Sequence, residues 1–132
     1  MEVSHELEWA VLGLLAAVVA LLVLAPAWQA LPDAPDARSE VVAAAVDGRV
    51  AVLGGFTPSG EASARADIFD PDGGWSRLPD LPLALHHAMA ASDGHRLYVA
   101  GGYANPSGLS APSNRAFVLD VAGGAERPLG LA

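Results

Sequence analysis

The pattern W-x-x-L-P-D-x-P occurs twice in this 132-residue chain, as Trp28-Gln29-Ala30-Leu31-Pro32-Asp33-Ala34-Pro35 and, 47 positions later, as Trp75-Ser76-Arg77-Leu78-Pro79-Asp80-Leu81-Pro82. Repetition at a fixed step of roughly 20–50 residues marks an array of supersecondary units, none of which can bury its apolar face alone. Other landmarks keep the step. Gly54-Gly55 returns as Gly101-Gly102, 47 apart, and Asp47-Gly48 returns as Asp93-Gly94, 46 apart. Arg65-Ala66 returns as Arg115-Ala116, and Gly73-Gly74 as Gly123-Gly124, both 50 apart. The three extra residues fall between Gly102 and Arg115, in a loop rich in Asn, Pro, Ser and Gly.

The order of elements inside one unit follows from the apolar runs and the turn residues between them. Residues 39–46 form a short apolar run, Asp47-Gly48 turns the chain, and residues 49–53 follow. Two β-type runs joined by Asp-Gly read as a hairpin. A polar loop leads to a third run, Ala66-Asp67-Ile68-Phe69, closed by Asp70-Pro71-Asp72-Gly73-Gly74, and a fourth short strand opens at Trp75. The second unit repeats this as Ala88–Ser92, Arg96–Ala100, Ala116–Val121 and a weak last strand near Glu126-Arg127. Strands this short, with connections this tight, leave no room for crossover helices. The expectation is all-β: two four-stranded antiparallel units, at about 39–82 and 86–132, with a leading strand at 28–31.

These residues resemble the kelch-repeat β-propellers. That family's blade carries a double glycine ending its second strand, an aromatic-Asp closure after its third and a Trp opening its fourth. Here those are Gly54-Gly55, Phe69-Asp70 and Trp75, and in the second unit Gly101-Gly102 and Leu119-Asp120, with Ala125 in place of the Trp. Tyr98 fits the family's aromatic before the double glycine, and Ala51 departs from it. The resemblance covers residues 28–132 and implies kelch-type blades of an incomplete propeller. Closed propellers need about four blades or more, and two are present. The simplest account is the N-terminal part of a longer protein supplying further blades; assembly of several chains is the alternative. Trp28 then looks like the fourth strand of an absent blade. Trp28, Trp75, Tyr98 and Phe69 are expected to pack between blades. The glycines are expected to supply positive φ and close approach by the next blade.

The N-terminus is a separate object. Trp9 to Ala25 is a 17-residue uncharged run, hydrophobic all round and stopped by Pro26. As one helix it spans about 25 Å, near the lower limit for crossing a bilayer. Ala25-Pro26-Ala27 offers small residues to a signal peptidase, whereas the leading segment carries Glu2, Glu6 and Glu8 and no Lys or Arg. Residues 1–27 therefore read as a membrane anchor or a cleaved signal, with a buried soluble helix as the third alternative. Both leading readings put residues 28–132 outside the cytoplasm and make a membrane the partner of residues 9–25.

Composition narrows the chemistry. The net charge of −8, with seven basic residues that are all Arg, argues against nucleic acid, which needs a basic patch. That usage, with abundant Ala, Gly and Pro, suggests a GC-rich bacterial coding sequence. There is no cysteine, so disulfides and thiolate metal sites are excluded. The resemblance also brings galactose-oxidase-like copper enzymes to mind, and their cysteine cross-link has no counterpart here. No H-E-x-x-H or G-x-S-x-G occurs. His86-His87 opens the first strand of the second unit. Neighbours on a strand point to opposite faces, so the pair does not suit one metal, and one of them is a candidate contact for a ligand in a central channel. Asp67, Asp70 and Asp72 read as turn caps. No catalytic, cofactor or metal residue is expected. The function expected is a non-catalytic kelch-type binding or scaffold module for a protein or glycan. The rival is part of a carbohydrate-active propeller enzyme whose catalytic groups lie in absent blades.

Overall fold

The computed structural model describes residues 4–24, 26–106 and 108–121. Among these residues are one helix, α1 (His5–Leu24), and seven strands: β1 (Val42–Val46), β2 (Arg49–Leu53), β3 (Ala66–Asp70), β4 (Gly74–Arg77), β5 (Met89–Ser92), β6 (Arg96–Ala100) and β7 (Ala116–Asp120). The chain divides into two units, residues 1–31 and residues 32–132.

In the first unit, α1 starts four residues before the uncharged run. Leu7 N–H donates to Ser4 O at 2.9 Å, and Glu6 and Glu8 occupy the first turn. Carboxylates there face the positive end of the helix dipole, so the acidic flank extends the helix. The stretch His5–Leu22 is long and apolar enough to cross a membrane, and none of it is buried. Residues 26–34 have no regular structure. The leading strand expected at 28–31 is not formed, and Trp28 is 105% exposed rather than packed between sheets.

In the second unit, β1-β2-β3-β4 form one antiparallel sheet and β5-β6-β7 another. The fourth strand expected near Glu126-Arg127 lies outside the described residues, as do Gly123, Gly124 and Ala125. Register sorts each sheet into two faces. Val42 pairs with Leu53, Ala44 with Ala51, Ala51 with Ile68 and Leu53 with Ala66, so these six share one face. In the second sheet Ala90 pairs with Val99, Leu97 with Leu119 and Val99 with Phe117. The two faces meet in one core that buries Val46, Ala51, Leu53, Ala66, Ile68, Leu85, Ala88, Leu97 and Val99. This is the close-packed apolar interior that a single four-stranded sheet cannot make.

The repetition is also structural. Ser39 bridges Phe56 and His86 bridges Tyr103. Gly54 N–H donates to Arg65 O at 2.8 Å and Gly101 N–H to Arg115 O at 3.0 Å. Ser63 N–H donates to Gly55 O and Ser113 N–H to Gly102 O, both at 2.8 Å. Glu40 and His87, 47 apart, both take the left-handed conformation, at φ 51° and 53°. Gly54 has φ +62°, and a Cβ there would lie 2.3 Å from Leu85 O, in the segment that leads into the second sheet. The glycine therefore supplies both the backbone conformation and the close approach.

Trp75 is half-buried and is not between the sheets. It pairs with Phe69, on the face turned away from the shared core. The rings tilt against each other at 5.2 Å, and Trp75 Nε1–H donates to Pro32 O at 2.9 Å. Full truncation of a buried Trp costs about 3–5 kcal/mol; for this half-buried ring Trp75→Ala is expected to cost about 2–3 kcal/mol in a denaturant melt.

The turn between β5 and β6 is set by Asp93. Its Oδ1 accepts from the backbone N–H of His95 at 3.0 Å and of Arg96 at 2.8 Å, and its Oδ2 from the Tyr98 hydroxyl at 2.8 Å. The His95 bond foremost, then those from Arg96 and Tyr98, lower the carboxyl from 3.8 to about 2. A depressed carboxylate stabilises above its unfolded value, and the contribution disappears as pH falls through the folded one. A carboxyl-carbon shift titration is expected to show a midpoint near 2 and a turn that holds until that range. A midpoint at the ordinary Asp value would mean the three donors are not engaged.

Candidate functional site

The segments that precede each sheet and follow each double glycine come together at one end of the second unit. Ser39 and Glu40 enter β1, and His86 and His87 occupy the equivalent positions before β5. Phe56 follows Gly55, and Tyr103 follows Gly102. His86 is 1% exposed. Its ring stacks on Phe56 at 3.9 Å, with Tyr103 nearly parallel at 5.7 Å. His87 meets both of those rings edge-on at 6.3 Å.

The two histidines converge, against the alternation expected of strand neighbours. Neither belongs to a regular strand, and the positive φ of His87 swings its ring back. Nδ1 of one lies 2.7 Å from Nδ1 of the other. His86 Nε2 faces Asn105 O at 3.2 Å and Asn105 Oδ1 at 3.3 Å. A backbone carbonyl only accepts, so Nε2–H of His86 donates to it. In the neutral tautomer of His86 that donates there, Nδ1 is the acceptor in the contact with His87 Nδ1. The far nitrogen of His87, Nε2, lies 3.1 Å from Glu40 Oε2, and His87 N–H donates to Glu40 O at 3.3 Å. The result ties the entrance of one sheet to the entrance of the other. Among the described residues no cluster of three or more His, Asp or Glu is placed to hold a metal ion.

An open cleft of about 460 Å³ shares Phe56 with this cluster and is lined by Ser39, Phe56, Thr57, Pro58, Gly60, Pro106 and Gly108. Phe56 thus backs His86 and lines the cleft as well. Among the described residues the lining carries no charge: the hydrogen-bonding side chains are the hydroxyls of Ser39 and Thr57, set among a phenyl ring and two prolines.

A second polar cluster was not expected from the sequence. Asp67 caps no turn. Its side chain is 1% exposed and Arg38's is 3% exposed, and Arg38 Nη2 lies 2.6 Å from Asp67 Oδ2. Arg38 Nη1–H groups also donate to Gly54 O at 2.8 Å and Arg65 O at 2.7 Å. Arg65 adds Nε–H to Asp67 Oδ2 at 2.8 Å and Nη2–H to Asp67 Oδ1 at 2.9 Å. Burial lowers the Arg38 pKa while Asp67 opposes that, and the hydrogen bond to Asp67 raises that of Arg65. Arg38 Nε is buried without a protein partner. Asp70 does cap its turn, accepting from Asp72 N–H at 2.9 Å and Gly73 N–H at 3.2 Å. The signal for Asp67 was its place between Ala66 and Ile68 in a strand, where a lone carboxylate must find a cation. The cation, Arg38, is 29 residues away in sequence.

The remaining residues singled out by the repeat fall in two groups. Gly54, Gly55, Gly101 and Gly102 all have positive φ at the ends of β2 and β6. Tyr98 is 39% exposed, on the open face of the second sheet. No family model matches this chain, and no curated protein matches it.

Proposed function

We propose that this chain is part of a kelch-type β-propeller and serves as a non-catalytic binding or scaffold module. In this reading α1 anchors or exports the protein, residues 28–132 lie outside the cytoplasm, and a protein or glycan ligand is held at the cleft beside Phe56, with His86 and His87 behind it. The observation that carries the reading is the recurrence, 47 residues apart, of the bridges Ser39–Phe56 and His86–Tyr103 with their left-handed residues Glu40 and His87. A blade array repeats its loops at one end in this way, and loops on a rigid scaffold are where binding residues concentrate. The cleft's volume falls in the range of small-ligand sites, and its uncharged lining favours an uncharged sugar face or peptide segment.

The test is a shift-perturbation titration of the full chain in micelles with a panel of neutral oligosaccharides and uncharged peptides. Saturable shifts at Phe56, Thr57, His86 and His87, with the ligand recovered intact, are the expected result. Turnover of a glycoside would replace the module by the enzyme reading, and no saturable shift anywhere would remove the cleft from consideration. A reporter fused after Ala132 tests export separately. Reporter activity in the cytoplasm, with soluble protein, would overturn the localisation.

A further inference from the structure

We infer that the open face of the second sheet is an interface, and that its occupant is the first sheet of a second copy of this chain, docked head to tail. The argument starts from the interface already inside the molecule. The first sheet buries Val42, Ala44, Ala51, Leu53, Ala66 and Ile68 against the second. One unit later those positions are Met89, Ala91, Tyr98, Ala100, Ala116 and Val118, which share the face of the second sheet opposite the core. They carry no charge, and five of the six are exposed, Met89 by 74%. The second sheet thus presents the surface that the first sheet uses to seat its successor.

The matching surface is also on this chain. The second sheet meets the first through Ala90, Leu97 and Val99. Counting back 47 residues gives Ala43, Val50 and Val52 on the outward face of the first sheet, of which Ala43 and Val50 are exposed. The β3 side of that face is covered by residues 32–38 through Trp75–Pro32 and Arg38–Asp67, so the β1–β2 side is what is open. A further observation points the same way. Gly101 has φ +68° like Gly54, yet the nearest atom to a Cβ built there is Ser113 O at 3.9 Å, where Gly54 is met by Leu85 O. Among the described residues, nothing makes at Gly101 the approach that Leu85 makes at Gly54.

Two different faces meeting makes the contact heterologous, so copies stack in one direction and close into a ring where the rotation allows. The inference stands on the repeat and not on any ligand, so it survives or fails separately from the binding site.

The absence of cysteine makes the test clean. In the full chain in micelles, Ala91→Cys and Ala43→Cys are made in separate proteins; both alanines are exposed and small. A short bis-maleimide is expected to give cross-linked dimer when the two proteins are mixed and none with either alone. Adding Tyr98→Arg to the Ala91→Cys chain is expected to abolish the cross-link while circular dichroism stays that of the parent. Cross-linking of either protein with itself, no cross-link in the mixture, or a cross-link indifferent to Tyr98→Arg would each overturn the interface.

Discussion

Asp67→Ala is expected to destabilise the second unit by about 3–5 kcal/mol, because it leaves the guanidinium of Arg38 buried and uncompensated. Folded domains hold about 5–15 kcal/mol in total, so this variant should melt far below the parent or fail to fold at working temperature. The second sheet offers the control. Leu85 stands 47 residues after Arg38, and Phe117 stands 50 after Asp67. There apolar core residues stand at both positions, and Arg115 lies over the Phe117 ring at 5.6 Å where Arg65 binds Asp67. A buried pair replaced as a unit by apolar residues is often neutral. Arg38→Leu with Asp67→Phe should therefore recover most of the loss, short of the bonds from Arg38 to Gly54 O and Arg65 O. Denaturant melts of the two single variants and the double complete the cycle. A single-variant loss below about 1 kcal/mol would mean that the pair is solvated.

Gly54→Ala is the other large effect. A non-glycine residue in the left-handed region costs about 1–2 kcal/mol, and forcing a methyl into packed surroundings adds about 1–3. The obstacle is the backbone oxygen of Leu85, which cannot rotate away as a side chain would. We expect a total of about 2–5 kcal/mol. Gly101→Ala isolates the terms, since its φ is nearly the same and among the described residues its Cβ would meet nothing closer than 3.9 Å. It should cost only the conformational part, about 1–2 kcal/mol. Equal losses at the two positions would show that the approach of Leu85 contributes nothing. Measured at protein concentrations where copies associate, Gly101→Ala should become the worse of the two behaviours for assembly, since the proposed partner would approach there.

Local pattern was enough to place most of the strands. The two Asp-Gly turns, the two double glycines and the apolar runs between them put β1 to β7 within three residues of their observed bounds, and β2 and β6 on them, because turn chemistry and strand period are properties of neighbouring residues. The same locality explains α1, whose only misplaced end was the acidic flank, where the helix dipole acts. The 47-residue step likewise announced that one sheet would need the other, since each carries an apolar face that it cannot bury alone. What the sequence could not decide were matters of distance and of partners. Trp28 and Trp75 share one motif, yet one is fully exposed and the other leans on Phe69, because packing depends on what lies alongside and not on the residue's own neighbours. Asp67 looked like its turn-capping companions until Arg38 arrived from 29 residues away to bury it. His86 and His87 were expected to diverge by strand alternation. Only the left-handed turn at His87, held by Glu40 of the adjoining sheet's entrance, brings the rings to a 2.7 Å contact beside the cleft. Such contacts are made by segments far apart in sequence, and it is tertiary packing that chooses them.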